Sequence, residues 1–240
     1  MEQRVESVQT ADGAFDLSVW VPDAGRGPGI LLIQEIYGVS DYIRAVAEDL
    51  AALGYVVGAP DLFWRIQPGY QAHHDDEGLQ QSMALASRFD MGTGVPDAIA
   101  AMEHLAGLPE VDGGEGGGVG VIGFCFGGSI AFLLAAQAKP AAVISFYGSA
   151  VPDSLNLLGQ ISSPVQFHFG GSDRFIPRAQ VSRVEQAVAE QPAMEMHVEE
   201  EAGHAFHNRK APMFYQPEPA ARAWQHAVEF LRRHLPVRHP

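Results

Sequence analysis

The chain has 240 residues, 47% of them hydrophobic, and a formal net charge of −14 at neutral pH. That acidity excludes nucleic acid and anionic membrane as main partners, because both repel a negative surface, though a local pocket can still hold a small anion. With Cys125 as the only cysteine, an intramolecular disulfide is excluded, which suits a reducing compartment.

The opening segment MEQRVESVQTADG has no apolar stretch of the kind a signal peptide needs. No apolar run is long enough to span a bilayer. A cytoplasmic protein is expected. Residues 5–10 and 15–21 are β-rich and flank Ala11-Asp12-Gly13, whose Asp-Gly pair favours a tight turn, so they predict an N-terminal hairpin. Residues 29–34 (GILLIQ) are continuously apolar rather than alternating, as in a strand buried on both faces. Ser40 or Asp41 can cap a following helix in which Ile43, Val46, Ala47 and Leu50 keep helical spacing, and Gly54 ends it.

Residues 55–59 predict the next strand, closed by Pro60, and residues 76–89 and 95–105 predict helices. Residues 113–118 are glycine-rich and predict a surface loop, and residues 119–124 predict a central strand. Strands at 141–147, 165–169 and 195–198 then alternate with helices at 127–138, 178–189 and 219–234. Strand and helix repeated this often imply a mostly parallel sheet covered on both faces. No Pro/Gly/Ser linker divides the chain, so one domain over residues 1–240 is expected.

Glycines 118, 120 and 123 spell G-x-G-x-x-G, but they enter and run through a strand instead of following one. No acidic residue lies about 20 positions beyond to hold a ribose. Dinucleotide binding is therefore set aside. Gly123-Phe124-Cys125-Phe126-Gly127 fits the nucleophile elbow G-x-S-x-G better, with sulfur in place of the hydroxyl. A sharp strand-to-helix turn would expose Cys125 at the carboxyl edge of the sheet and at a helix N-terminus, whose positive end favours a thiolate. The bland alternative is a buried structural thiol.

An elbow requires an acid and then a histidine further along the chain. Asp173 follows the strand Val165-Gln166-Phe167-His168-Phe169 and two glycines, and His204 follows the last strand in Glu201-Ala202-Gly203-His204. Reactive residues after three successive strands converge on one sheet edge, where open α/β sheets place their sites. His168 and His197 fall within strands and predict packing or solvent exposure. His73-His74-Asp75-Asp76-Glu77 predicts a solvated charged loop, since adjacent residues rarely converge on one metal ion. No metal or cofactor is expected. His207, three residues beyond His204, is a candidate for the pocket wall, as are Phe63, Trp64, Arg65 and Met83.

From Gly29 to Phe230 the sequence resembles the dienelactone hydrolase (carboxymethylenebutenolidase) family of α/β hydrolases. The resemblance rests on Gln34-Glu35-Ile36-Tyr37-Gly38, Phe89-Asp90-Met91, Gly123-Phe124-Cys125-Phe126-Gly127-Gly128, Tyr147-Gly148, Gly170-Gly171-Ser172-Asp173 and Glu201-Ala202-Gly203-His204. It implies a three-layer α/β-hydrolase fold and hydrolysis of small activated esters or enol lactones through a thioester. By position it implies Cys125 as nucleophile, His204 as base, Asp173 as its orienter and Glu35 as an extra carboxylate helping to activate the thiol. Backbone N–H groups of Ile36 and Phe126 would form the oxyanion hole. Tyr37 and Tyr147 would belong to the pocket.

The chain departs from the family where substrate carboxylates are gripped. The helix expected to carry one arginine reads DDEGLQQSMALASRF, with only Arg88 near its far end. Four residues after the histidine stands Asn208 instead of an arginine, with Arg209 one step on, and Ala205 replaces the expected serine. Asn cannot supply a bidentate guanidinium clamp, so an altered substrate-acid specificity is expected, with Arg209 or His207 as partial substitutes. A general carboxylesterase or thioesterase is the alternative enzyme reading, and a non-catalytic binding member of the fold the alternative outside enzymes. A monomer is expected, with a dimer as the alternative.

Overall fold

The computed structural model describes residues 1–112 and 118–237. The predicted glycine-rich loop therefore lies, except for Gly118, outside the described residues. The hairpin forms from β1 (Glu2–Thr10) and β2 (Gly13–Val21), with Thr10 paired to Gly13 so that Ala11 and Asp12 make a two-residue turn. Next come β3 (Gly29–Ile33), α1 (Asp41–Ala52), β4 (Val56–Pro60), α2 (Asp76–Ala86) and α3 (Met91–Ala106). The remainder is β5 (Gly120–Phe124), α4 (Phe126–Ala135), β6 (Val143–Phe146), a short 3-10 helix (Leu155–Gln160), β7 (Val165–Gly170), α5 (Arg178–Val188), β8 (Met194–Glu199) and α6 (Pro217–His234). No described helix is long and apolar enough to cross a membrane.

The eight strands form one sheet in the order β1-β2-β4-β3-β5-β6-β7-β8. β2 pairs antiparallel with β4, and the six strands from β4 to β8 run parallel. Register fixes the layers. Gly58, Leu31 and Val121 are aligned across the sheet, and so share a face with Gly123, two residues beyond Val121. A Cβ on Gly58 would touch Leu105 of α3, and one on Gly123 would strike Gly127 of α4, so α3 and α4 cover this face. The opposite face carries Gly120, whose Cβ would meet Leu235 just after α6, and Phe124, whose ring packs edge-on against Tyr42 of α1. A three-layer α/β sandwich results.

The boundaries predicted around α2 and α3 shift for a local reason. Residues 76–89 do not form one helix, because the Asp90 carboxylate accepts the Gly92 N–H at 2.8 Å and starts α3 at Met91. Gly92 and Gly94, which precede the predicted helix at 95–105, fall inside α3, and Gly94 makes room for the Phe89 ring. Ser40 occupies the N-cap position of α1 but makes no side-chain cap bond.

Between β3 and its neighbours the chain changes direction: β4 lies on one side of β3 and β5 on the other. A crevice opens at such a switch point, beyond the carboxyl ends of the strands. The turn after β5 depends on missing side chains. A Cβ on Gly123 would lie 1.9 Å from the Gly127 carbonyl oxygen, and one on Gly127 would lie 2.3 Å from that of Ile33. Gly123→Ala therefore has no room to relax, and a loss of about 3 kcal/mol is expected in urea denaturation. Gly159→Ala, where nothing lies within 4 Å, is the matched control and should change stability little.

Candidate active site

Cys125 sits between β5 and α4 with φ 54° and ψ −113°, a conformation L-residues rarely adopt. Its N–H donates to the Phe146 carbonyl at 2.9 Å and its carbonyl accepts the Ser129 N–H at 3.1 Å, which holds the turn. The thiol is partly exposed at the sheet edge. Asp173 follows β7 and His204 follows β8. Their two loops are laced together by Gly171 N–H to the Glu199 carbonyl, 2.8 Å, and Ser172 N–H to the Ala202 carbonyl, 2.9 Å.

The side chains meet in line. His204 Nε2 lies 3.0 Å from Cys125 Sγ, and His204 Nδ1–H donates to Asp173 Oδ2 at 2.7 Å. The other oxygen of Asp173 accepts the N–H groups of Phe175 and Ile176 at 2.7 and 3.1 Å, which fixes the carboxylate. Burial disfavours a charged imidazole at His204, but the charge on the Cys125 sulfur and the Asp173 carboxylate outweigh it. Together they push its pKa up to about 10. The geometry can hold a thiolate beside an imidazolium.

Glu35 and Ile36 lie just beyond β3, on the same crevice. The Glu35 side chain is buried, and its Oε2 accepts the Asn208 amide at 2.7 Å. Burial pushes its pKa up to about 7, opposed by the nearby His204 charge and the Asn208 hydrogen bond. The N–H groups of Ile36 and of Phe126, the first residue of α4, donate to no protein group among the described residues. A cleft of about 390 Å³ joins these parts. Glu35, Ile36, Tyr37, Cys125, Phe126 and His204 line it on one hand, and Leu79, Met83 and Ala86 of α2 with Phe175 and Phe214 on the other.

Several expected pocket residues lie elsewhere. Arg209 points away, donating to Asp49 at 2.6 Å and to the Ala45 carbonyl of α1. His207 is buried, with its pKa driven down to about 3 by burial and by the Arg209 charge, and its Nδ1 accepts the Tyr42 hydroxyl at 2.6 Å. Tyr147 is fully buried behind the site, its ring 5.2 Å from that of His204. Of the proposed wall around residues 63–65 and 83, only Met83 lines the cleft. Phe63 packs behind Phe126, while Trp64 and Arg65 bind the buried Asp97. The loop at 73–77 also needs correction: the His74 side chain is 5% exposed and lies against Tyr37. Leu79, Ala86, Phe175 and Phe214 escaped sequence reading, though Phe175 follows Asp173 closely enough to have been found.

Residues 15–235 match the family model described as the dienelactone hydrolase family. The chain belongs to the dienelactone hydrolase family. Among its relatives, the carboxymethylenebutenolidase of Pseudomonas putida is 33% identical over 227 residues, covering 94% of each chain. Two solved structures share the fold. A dienelactone hydrolase-like promiscuous phosphotriesterase from metagenomic libraries superposes with a TM-score of 0.80 at 22% identity, covering 98% of both chains. The acylaminoacyl peptidase of Pyrococcus horikoshii gives 0.72 at 15% identity, over 98% of this chain and 42% of its own. The second likeness is one of fold alone.

Within this family member the buried Glu35 carries a linkage signature. Its folded pKa of about 7 lies above its ordinary value of 4.5, so folding favours the protonated form. Stability is then lost as pH rises from the ordinary value through about 7. Glu35→Gln removes that loss. The variant should gain stability relative to the parent as pH climbs through this window and level off above it, by on the order of 2–3 kcal/mol. Urea midpoints across pH measure it; a constant difference would contradict the assigned burial cost.

Proposed function

We propose that this protein hydrolyses neutral, activated carboxylic esters and enol lactones through a Cys125 thioester. The observation that carries the reading is the continuous line from Cys125 Sγ through His204 to Asp173 at the floor of an apolar cleft. In the first step the thiolate attacks the acyl carbonyl, and the N–H groups of Ile36 and Phe126 receive the oxyanion. Each such donor is worth about 2.7–4 kcal/mol in a comparable site. The intermediate collapses with loss of the alkoxide, phenolate or enolate, and the His204 proton goes to the leaving group or, where that departs as an anion, to solvent. Neutral His204 then removes a proton from water, the hydroxide adds to the thioester, and the thiolate leaves. Asp173 holds the imidazole in the required tautomer. Glu35 serves as a second proton acceptor for the thiol.

Sulfur narrows the substrate range. A thiol of pKa about 8.5 is a better leaving group than an alkoxide, so an adduct formed from an ordinary alkyl ester expels the cysteine again. Enolates and phenolates compete with it. Amines do so only when protonated, which disfavours peptides. The cleft narrows the range further. Among the described residues no Arg or Lys lines it, Arg209 is held by Asp49, and Asn208 is engaged with Glu35. Arg174 borders only an adjoining hollow that shares Phe175, His204 and Phe214. Met83 and Phe175 at the cleft are half exposed and present apolar surface to the incoming acyl or aryl group.

A panel of neutral enol lactones, aryl esters, alkyl esters and the anionic dienelactone tests the reading by kcat/KM. Neutral substrates with acidic leaving groups should rank first and the anionic lactone below them; a strong preference for the anion contradicts the proposed specificity. Cys125→Ala should abolish turnover. Cys125→Ser should lose most of the rate while moving preference toward alkyl esters.

A further inference from the structure

His74 lies between β4 and α2, its side chain buried against Tyr37 of the cleft. Its ring packs on Tyr37 with centroids 4.3 Å apart, and its Nε2 lies 3.9 Å from Glu35 Oε2. The two side chains are 5% and 2% exposed. His74 Nε2, Glu35 Oε1 and the Tyr37 hydroxyl are all buried without a hydrogen-bond partner among the described residues. Such orphans are uncommon in folded interiors, and a group of them beside a reactive thiol calls for a role. Among the described residues the hydrogen-bond partner of the Glu35 carboxyl is the neutral Asn208, and the charge that favours its ionised form, on His204, acts without a hydrogen bond to it.

We propose that His74 is the proton partner of Glu35, one proton passing between the Glu35 carboxyl and His74 Nε2. The O–H bond of Glu35 breaks, an N–H bond forms on His74, and two neutral groups become an ion pair of unchanged net charge. The carboxylate so formed shares the cleft with Cys125. Closing 3.9 Å to hydrogen-bonding distance takes a shift of about 1 Å in a carboxyl whose other oxygen is unpartnered. Because the transfer moves no net charge into or out of the buried cluster, it avoids the cost of isolating a lone carboxylate there. His74 acts through Glu35 and is a positioning residue. The inference rests on the reading of Glu35 as an accessory proton acceptor.

The surroundings bring the two proton affinities together. Burial raises Glu35 and lowers His74. Facing Glu35 are His204 and Asn208, with Tyr37, Tyr42, Tyr147 and Cys125 near enough for its charge or that of the site to be felt. Facing His74 are Asp41 of α1 and Asp75, which favour a charged imidazole, and His73 and Lys210, which oppose it. Once within hydrogen-bonding distance, the two groups would titrate as a pair.

Carboxyl-selective 13C NMR, with the Glu35 signal assigned through Glu35→Gln, and 15N NMR of the His74 ring test the pairing without relying on turnover. In the parent protein Glu35 should ionise in two steps about 1–3 pH units apart, with the His74 ring losing its charge in the complementary share of the same two steps. In His74→Phe, which keeps a ring against Tyr37, only one step at the higher pH should remain, and the acid limb of kcat/KM should move up with it. His74→Gln fills the site without accepting a proton and should give the same single step if the Phe variant does not fold. A single Glu35 step in the parent with a silent His74 ring, or two steps surviving in either variant, overturns the proposal. Failure to hydrolyse esters would overturn the functional reading instead, and leaves the titration result intact.

Discussion

At Cys125 the chain turns from β5 into α4 with a positive φ, and it can do so only because Gly123 and Gly127 allow backbone to touch backbone. That contact decides where everything reactive lies. It lifts the sulfur out of the sheet, sets the first residue of α4 at the cleft and brings Cys125 level with the loops after β7 and β8. The backbone bonds that join those loops bring Asp173 and His204 into line with it. Strain at one residue is offset by a densely packed sheet beneath it.

Charge is handled sparingly around this turn. The cleft wall is mostly hydrocarbon, so each ionised group is weighted by a low dielectric. Asp173 satisfies its oxygens with His204 and two backbone N–H groups, whereas Glu35 has a single neutral partner and an orphaned oxygen. The two acids consequently differ in behaviour: one is fixed and orients an imidazole, and the other ionises near neutral pH. The guanidinium that could have joined Glu35 stands one residue too far along, at Arg209, where the backbone directs it to α1.

Legibility in the sequence followed physical locality. The parallel strands were visible as short unbroken apolar runs, and the turn at residue 125 as glycines around a reactive side chain. Asp173 and His204 each follow a strand, so topology alone carries them to one edge. Residues whose surroundings come from distant segments were not legible. His74 sits in a run of charged residues, and only the packing of that run against Tyr37 and Glu35 takes it out of water. Tyr147 and His207 flank recognisable motifs but point into the interior, since neither motif fixes side-chain direction. The α2–α3 boundary is not legible because its two glycines serve the Asp90 cap and the Phe89 ring, contacts that local pattern does not show.

The central claim is that sulfur at position 125 attacks the acyl carbon and carries the acyl group. Intact-protein mass spectrometry on acid-quenched samples taken during turnover of an activated aryl ester tests it most directly. The account predicts an added acyl mass mapped to the peptide containing Cys125, formed at the rate of the initial burst and lost at the rate of steady-state turnover. Steady hydrolysis with Cys125 unmodified throughout, or with the acyl group on another residue, would contradict it.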